Sequence, residues 1–263
     1  MPVSPLSAGV SPVKTSDSTA ATAAVASHSA AVLDIYEVLR TAYGGEIWHW
    51  MPGVAQHPMD IIAGAVLVQH TTWTNAERAL EALRDAGVLD AGVLASMPEA
   101  AIAVLVRFSG TPTVKAKRLR AICETVERAG GIDTFLAQPA DSLRMQLLAT
   151  HGVGPETADS IALYAGGKPV FVIDAYTRRL FGRLGLGPED AAYDAWQRWF
   201  EESLSGAGRG AVETYRRYHG YIVLHSKALC RAVPRCARCP LLARCPEGKQ
   251  RVRNTAAASQ AAL

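Results

Sequence analysis

Apolar residues recur at intervals of three or four along most of the chain, the spacing that places them on one face of an α-helix. Residues 59–69 are apolar on almost every side, which predicts a central buried helix. The run at 170–173 is typical of a β-strand, but one short strand has no partner. The pattern therefore predicts an all-α fold, with helices at residues 31–43, 59–69, 75–86, 88–95, 98–108, 114–129, 132–137, 140–149, 155–164, 175–184, 191–205 and 210–228.

The two ends of the chain carry few large apolar side chains. Residues 1–28 are rich in alanine, serine, threonine and proline, and residues 250–263 have a similar composition. Such segments bury too little apolar surface to offset the entropy lost on ordering. The composition therefore predicts disordered tails at 1–28 and 250–263.

Composition narrows the class of protein. The 263 residues are 49% hydrophobic and 19% charged, which is enough to form a core, and the net charge is only +3. A nucleic-acid-binding surface would therefore have to be a local basic patch. No run approaches the roughly 18 or more apolar residues that span a bilayer, and the N-terminus lacks the pattern of a secretory signal. We therefore expect an intracellular protein that does not bind membranes.

A short stretch combines a glycine turn with an acidic residue. Gly152 and Gly154 form the turn, and Pro155 and Glu156 suit the first turn of the helix that follows. Asp174 stands directly before the next helical pattern, where aspartate is a good N-cap. The segment is either a phosphate-binding turn beside a catalytic acid or an ordinary helical hairpin with a capping aspartate.

Four of the five cysteines crowd together near the C-terminus. They are Cys230, Cys236, Cys239 and Cys245, in the spacing C-x5-C-x2-C-x5-C, whereas Cys123 stands alone in a helical pattern. Four thiolates this close can hold Zn²⁺ or a [4Fe–4S] cube, and the spacing does not decide between them. An unligated loop is the remaining reading. Arginines alternate with the cysteines at positions 231, 235, 238 and 244, either to face a polyanion or to offset thiolate charge.

Taken in order, G-V-G-x-x-T-A, V-I-D and the four cysteines resemble the helix-hairpin-helix DNA glycosylases of the endonuclease III superfamily. The resemblance covers residues 31–246 and is supported by G-A-V-L-V-Q-H-T-T at 64–72, V-K-A-K-R-L at 114–119 and H-S-K-A-L-C at 225–230. It implies two lobes, with a six-helix barrel at 57–167 and an iron–sulfur lobe at 29–56 plus 168–249. Double-stranded DNA would lie between them, with the damaged base flipped out.

The resemblance also bears on the cofactor and the chemistry. It favours a [4Fe–4S] cluster on the four cysteines over zinc, although the first spacing is one residue shorter than is commonest in the family. Family members that also cleave the strand carry a nucleophilic lysine where this chain has Glu156, and a carboxylate cannot form a Schiff base. The chain is therefore similar to monofunctional glycosylases, with Asp174 as the catalytic carboxylate. Glu156 either suits the helix start, positions water, or couples to Asp174.

The resemblance extends to the base and the DNA. A branch related to 3-methyladenine glycosylases is closest in motif, and Trp48 and Trp50 would stack on a cationic alkylated base, or else fill the core. By the same resemblance, further residues would contact DNA: Gln69 and His70 at the space left by the flipped nucleotide, Gly152 and Gly154 at a phosphate, and Lys227 in the pocket or on the backbone. For Gln69 and Lys227, ordinary helix-end roles are the alternative.

The main hypothesis is a monofunctional DNA glycosylase that removes alkylated bases and acts as a monomer in the cytoplasm, associated with the nucleoid. One rival is a bifunctional glycosylase and lyase for oxidised pyrimidines, with another amine as nucleophile. The other rival is a non-catalytic DNA-binding protein in which Asp174 is only a cap.

Overall fold

The computed structural model describes residues 16–45 and 57–261. Within these ranges the regular structure is helical and contains no strand, which confirms the all-α prediction for the described residues; residues 170–173 are extended. The helices are α1 (Ser16–Tyr43), α2 (Pro58–Leu67), α3 (Trp73–Asp85), α4 (Ala91–Ser96), α5 (Glu99–Leu105), α6 (Pro112–Arg128), α7 (Ile132–Ala137), α8 (Ala140–Ala149), α9 (Pro155–Ser160), α10 (Ala175–Leu184), α11 (Tyr193–Ser203), α12 (Ala211–Ala228) and α13 (Pro246–Ala261).

Helix α2 is buried in the hydrophobic core, as the apolar pattern predicts. Every residue from Met59 to Leu67 is buried. His57 caps the helix: its ring nitrogen Nδ1 accepts a hydrogen bond from the backbone N–H of Met59, and its backbone N–H donates to the carboxylate of Asp60. Helices α3, α6 and α9 pack around α2.

Within the residues that the structure describes, parts of both predicted tails are helical. Helix α1 begins at Ser16, so that residues 16–28 are helical, and α13 continues to Ala261. Alanine has the highest helix propensity and is abundant in both segments. Pro246 also suits a first helical turn, and Glu247 and Arg251 form an i,i+4 ion pair along α13. An argument from the small number of large apolar residues does not predict these helices, because it considers only the apolar surface that can be buried and leaves out the helix propensity of alanine.

Chain segments distant in sequence meet at α1. This helix packs against α11 and α12, and Tyr218 of α12 donates its hydroxyl to the carbonyl of Val32 at 2.7 Å. Arg244, within the cysteine segment, pairs with Asp34 of α1. The grouping of α1 with the C-terminal helices agrees with the expected second lobe, but the division into a six-helix barrel and an iron–sulfur lobe stays a prediction.

A five-residue π-helical segment, Ile161–Ala165, directly follows α9. Its wider turn is closed by the backbone N–H of Gly166, which bonds the carbonyl of Ile161 at 3.0 Å. The segment lies against α2 and α12. Separately, no helix in the described ranges is long and apolar enough to cross a membrane.

Candidate active site

Asp174 is the N-cap of α10, as predicted, and it is buried. Its Oδ1 atom accepts the backbone N–H of Thr177 at 2.7 Å, and the residue is only 7% exposed. Its Oδ2 atom lies 3.5 Å from Nε2 of His219. Burial by itself would raise the pKa of this carboxyl, but His219 and the Thr177 N–H outweigh it and leave the pKa below its usual value. Asp174 is therefore a buried carboxylate that stays ionised.

The extended segment before Asp174 is fixed by side chains in place of a neighbouring strand. The backbone N–H of Phe171 is accepted by Glu201 at 2.9 Å, and its carbonyl accepts the Gln197 amide at 2.9 Å. The N–H of Ile173 bonds the Tyr193 hydroxyl at 3.2 Å. These side chains, from α11, satisfy backbone groups that a sheet would otherwise pair. The carboxylate is thus delivered on a rigid segment without a second strand.

Two residues that the sequence did not single out complete the surroundings of Asp174. His219 of α12 and Tyr164 of the π-helical segment are each 4% exposed. The Tyr164 hydroxyl lies 2.7 Å from Nδ1 of His219. The two are 55 residues apart, so no local pattern relates them.

Glu156 and Lys227 are exposed residues within electrostatic reach of the same carboxylate. Burial of its surroundings and the charge of Asp174 raise the pKa of Glu156, while His219 and Arg178 oppose that rise. Because the Glu156 side chain is largely exposed, solvent screens part of this effect. Partial burial lowers the pKa of Lys227 and the charge of Asp174 opposes that change, so the structure brings Lys227 within electrostatic reach of Asp174.

The two glycines of the hairpin, Gly152 and Gly154, differ in backbone conformation and in the space available for a side chain. Gly152 has a left-handed backbone (φ +80°), and a Cβ atom added to it would lie 2.3 Å from Cγ of Arg118. Gly154 has an ordinary backbone (φ −94°), and an added Cβ atom would meet nothing within 4 Å. The fold itself therefore requires glycine at 152. The space over Gly154 is open to an external group.

Gln69 and His70 follow the end of α2, at a turn that contacts the hairpin. The Gln69 amide donates to the carbonyl of Gly152 at 3.1 Å and to the hydroxyl of Thr157 at 2.9 Å, while its oxygen accepts from Arg118 at 2.6 Å. His70 is exposed and has a left-handed backbone (φ 54°), which is uncommon outside glycine. The side chain of Gln69 is thus hydrogen-bonded to the hairpin, whereas the side chain of His70 is exposed to solvent.

The carbonyl groups at the end of α2 are satisfied by a buried lysine. Lys115 is 1% exposed, and its Nζ donates to the carbonyls of Val66, Leu67 and Gln69 at 3.1, 2.6 and 2.7 Å. Burial, with a smaller effect from Arg118, lowers its pKa to about 8. The sequence shows this lysine only as one of several basic residues at a helix start. In the structure its hydrogen bonds stabilise the turn that carries Gln69 and His70.

The four clustered cysteines line one pocket, together with residues of α10, α12 and α13. Sulfur atoms there already receive hydrogen bonds: Arg183 approaches Sγ of Cys230 at 3.4 Å, and the N–H of Gly248 bonds Sγ of Cys245 at 3.2 Å. His225 Nε2 lies 3.6 Å from Sγ of Cys239. Donors aimed at sulfur are the surroundings that thiolate ligands of a metal cluster require.

In the part of the chain that the structure describes, no three cysteine, histidine or acidic side chains gather around one point as a bound metal ion demands. Burial raises the pKa of Cys239 to about 11 and also raises that of Cys245, with further increases from the neighbouring sulfurs, so ionisation of these two thiols would need a positively charged partner.

The arginines that alternate with the cysteines are all exposed. Arg244 is paired with Asp34 of α1, and Arg231 donates to the carbonyl of Lys227 at 2.8 Å. Arg235 and Arg238 lie on the exposed surface of the cysteine segment. The predicted base-pocket residues Trp48 and Trp50 lie outside the described residues.

The sequence and the fold were compared with known proteins. A family model for the HhH-GPD superfamily base excision DNA repair protein matches residues 63–205, a range that includes the hairpin glycines and Asp174. The chain is 37% identical over 213 residues to the Putative DNA repair glycosylase MJ1434 of Methanocaldococcus jannaschii, which corresponds to 80% of this chain and 93% of that protein. It is 28% identical over 113 residues to endonuclease III of Bacillus subtilis, over 41% of this chain and 47% of the relative.

Solved structures share the fold. The 3-methyladenine DNA glycosylase MagIII of H. pylori, bound to 1,N6-ethenoadenine, superposes with a TM-score of 0.65 at 28% identity, over 74% of this chain and 97% of that one. A non-covalent endonuclease III–DNA complex has a TM-score of 0.71 at 21% identity, over 86% of this chain and 98% of that one, a likeness of fold alone. The resemblance predicted from the motifs is confirmed, and the chain belongs to the HhH-GPD superfamily of base excision DNA repair proteins.

Proposed function

We propose that the protein is a monofunctional DNA glycosylase that hydrolyses the N-glycosidic bond of damaged, alkylated bases in double-stranded DNA. The observation that carries this proposal is the buried carboxylate of Asp174, kept ionised at the end of a rigid segment, with Glu156 in place of an amine nucleophile. Family membership makes glycosidic chemistry the natural use of that carboxylate.

The chemistry follows from the charge that develops on the sugar. The bond between C1′ and the base nitrogen breaks, its electron pair leaves with the base, and the sugar acquires oxocarbenium-like positive charge. The fixed negative charge of Asp174 stabilises that cation because it lies in a water-poor site and needs no reorganisation. Water then adds to C1′, and its proton passes to a carboxylate of the site.

Glu156 and Asp174 divide the acid–base work. Their surroundings move their pKa values apart, that of Asp174 downward and that of Glu156 upward. Paired carboxyls with separated pKa values are the usual arrangement when one group remains charged and the other exchanges protons. In this proposal Asp174 stabilises the cation, and Glu156, at the open side, orients the attacking water.

Alkylated bases are the proposed substrates for two reasons. The structural relative at 28% identity is a 3-methyladenine DNA glycosylase that was solved with 1,N6-ethenoadenine bound. Trp48 and Trp50 supply electron-rich rings in a segment of the chain that the motifs assign to the base pocket, and such rings attract cationic purines. The choice of base is therefore independent of the roles proposed for Asp174 and Glu156.

DNA would be held at two turns that the structure brings into contact. Open space over Gly154 permits a phosphate to approach the backbone N–H groups at the start of α9. His70, exposed and backbone-strained, is the residue placed to enter the duplex, while Gln69 ties its turn to the hairpin. Lys227 adds positive charge beside the reacting sugar.

The cofactor that we propose is a [4Fe–4S] cluster held by Cys230, Cys236, Cys239 and Cys245. When bound, it would supply cross-links that fix the cysteine segment. The hydrogen bonds directed at sulfur and the four cysteines around one pocket support a thiolate-bound group, and the family motifs favour the cluster over zinc. Arg235 and Arg238 would then be presented to the phosphate backbone.

A second candidate, strand cleavage by a lyase step, has one observation in its favour. The pKa of Lys227 is lowered by partial burial, and a lysine with a lowered pKa near a catalytic carboxylate is a candidate Schiff-base nucleophile. The negative charge of Asp174 opposes this lowering of the Lys227 pKa, because it favours the charged amine, which is not nucleophilic. Water as the nucleophile therefore remains the preferred mechanism.

Base release decides among the proposals. Duplexes containing 3-methyladenine, 7-methylguanine, uracil or thymine glycol are incubated with the protein, and free base and strand breaks are measured with and without alkali. We expect release of alkylated bases, strand breaks only after alkali, and no covalent adduct with borohydride. An adduct that disappears in Lys227→Met would establish the lyase instead. Release only from thymine glycol would contradict the alkylated-base proposal.

Asp174→Asn should abolish release while the protein still binds duplex DNA. A matched control is Asp90→Asn, because Asp90 also caps a helix, accepting the N–H of Val93 at 3.0 Å, but belongs to α4. Equal release by the wild type and Asp174→Asn would remove the assigned chemistry. An absence of release from every lesion, with DNA binding intact, would indicate a non-catalytic DNA-binding protein.

A further inference from the structure

Both oxygens of the Asp174 carboxylate have protein partners. Oδ1 is bound by the N–H of Thr177, and Oδ2 faces Nε2 of His219 at 3.5 Å. The other ring nitrogen of His219 is 2.7 Å from the Tyr164 hydroxyl. Tyrosine, histidine and aspartate therefore form a line, and all three are at most 7% exposed.

The π-helical segment Ile161–Ala165 positions the tyrosine in this line. A π turn contains one residue more than an α turn, so Tyr164 points in a direction that a continuous α-helix would not give it. Arg216 of α12 fixes the segment, since its guanidinium donates to the carbonyls of Leu163 at 2.9 Å and Tyr164 at 3.0 Å. Such irregular turns are costly and are frequent at functional sites.

Hydrogen-bond geometry determines which way the imidazole acts. In a neutral ring, the Tyr164 hydroxyl donates to Nδ1 and the ring proton lies on Nε2. In a charged ring, Nδ1–H donates to the phenol oxygen, whose own proton goes to the carbonyl of Arg216 at 3.2 Å. In both arrangements Nε2 carries a proton that faces Oδ2 of Asp174. The remaining tautomer, a neutral ring with its proton on Nδ1, would set the Nε2 lone pair against the carboxylate and is disfavoured by their repulsion.

We propose that Tyr164 and His219 are positioning residues of the glycosylase reaction, which hold the Asp174 carboxylate in the orientation and the ionised state that the reaction needs. This inference rests on the proposed function. The phenol acts on the imidazole, the imidazole acts on the carboxylate, and neither side chain needs to touch the DNA.

The charges around Asp174 show what His219 contributes. Burial raises the pKa of Asp174, and His219 is the first of the groups that lower it. The ionisable groups that face the carboxylate are, among the described residues, His219 and Lys227 from α12 and Glu156 from α9, while Arg178 on its own helix acts on Glu156. Among these influences His219 is the largest that favours the ionised carboxylate, and it acts against burial and the negative charge of Glu156.

Three variants and one control test this arrangement. His219→Leu removes the donor, His219→Gln keeps an N–H of similar reach, and Tyr164→Phe deletes one oxygen. The control is Tyr218→Phe, since Tyr218 lies on α12 next to His219 and is also fully buried, but its hydroxyl bonds the carbonyl of Val32. Single-turnover base release is measured from acid to neutral pH, with binding to an abasic-site analogue measured in parallel.

We expect His219→Leu to move the acidic limb of the rate profile upward by about one pH unit or more, the effect of losing a partner of a buried carboxylate. The maximal rate should fall about tenfold or more, and binding to the abasic-site analogue should change less than about twofold, because the lost interaction acts on the reacting carboxylate. Tyr164→Phe should move the limb the same way by less. His219→Gln should recover part of the rate, and Tyr218→Phe should match the wild type.

A wild-type pH profile and rate in both His219→Leu and Tyr164→Phe, with DNA binding retained, would overturn the inference. The carboxyl titration of Asp174, followed by NMR of ¹³C-aspartate-labelled protein and assigned with Asp174→Asn, tests it without catalysis. If no lesion is released by the wild type, the proposed function fails, yet the titration still decides: an upward midpoint shift in His219→Leu supports the arrangement and an unchanged midpoint refutes it. If His219→Leu does not fold, Tyr164→Phe provides the same comparison.

Discussion

Replacing Gly152 by alanine separates the internal role of the hairpin from its proposed contact with DNA. Gly152 is left-handed, and its missing Cβ atom would lie 2.3 Å from Cγ and 2.6 Å from Cδ of Arg118. The contacted atoms belong to the middle of the arginine side chain, so the whole side chain must move away. Arg118 would then lose its 2.6 Å bond to Gln69.

Two contributions set the size of the effect. An alanine forced into the left-handed region costs about 1–2 kcal/mol. Loss of a hydrogen bond from a charged donor costs about 1.5–3 kcal/mol, toward the lower end here because Arg118 is only partly buried. We therefore expect Gly152→Ala to lower the free energy of unfolding by about 3 kcal/mol.

The matched control is Gly154→Ala, two residues away in the same turn. Its backbone is ordinary and the added methyl group meets nothing, so the change in stability should stay within about 0.5 kcal/mol. Urea denaturation followed by circular dichroism measures both variants. Binding to an abasic-site duplex should nevertheless weaken in Gly154→Ala, because the methyl group occupies the space proposed for a phosphate.

A double variant isolates the clash. With Arg118→Ala already present, Gly152→Ala meets no arginine side chain, and only the backbone cost of about 1–2 kcal/mol should remain. If Gly152→Ala is as stable as Gly154→Ala, the close packing of Arg118 on the hairpin is incorrect. If the two changes are simply additive, the arginine contributes nothing to the glycine requirement.

Three further predictions concern other parts of the molecule. Lys115→Met should destabilise the protein by about 1–3 kcal/mol, because the carbonyls of Leu67 and Gln69 lose a buried donor, whereas the exposed Lys117→Met should have almost no effect in the same urea titration. The pKa of Asp174 is lowered in the folded state, so the stability that its ionisation contributes is present above about pH 4, its unfolded pKa, and is lost as the pH falls through the folded pKa. The difference in unfolding free energy between the wild type and Asp174→Asn should therefore shrink in acid, and a difference that grows would refute the assignment. The purified protein should contain iron and acid-labile sulfide in equal amounts and absorb visible light, both reduced in Cys239→Ser, whereas a colourless protein with stoichiometric zinc would contradict the cluster.

Local sequence was sufficient for some features of the site. The capping role of Asp174 follows from its place before a helical pattern, and the buried α2 follows from its continuous apolar face. The family motifs identify Gly152, Gly154 and Glu156 as further candidate site residues, and the structure brings Glu156 within electrostatic reach of Asp174. Each of these inferences depends on residues that are close in the chain.

Other features depend on contacts between distant segments, which periodicity does not encode. The pairing of Tyr164 with His219 requires a π-helical turn to face a different helix. The burial of Lys115 requires three carbonyls from another helix end, and without them a lysine near a helix start reads as solvent-exposed. The helical residues 16–28 and 250–261 depend on the helix propensity of alanine, which a composition argument based on burial leaves out.

Asp174 is under two constraints at once. The carboxylate that we propose for catalysis is also the cap that satisfies an N–H at the start of α10, and loss of such a cap typically costs about 1 kcal/mol. A descendant of this protein that no longer removed bases would still gain stability from aspartate at this position. Retention of Asp174 is therefore weak evidence that a relative is active. Tyr164 and His219, whose proposed roles serve the reaction rather than the helix, should be better indicators of which relatives still catalyse it.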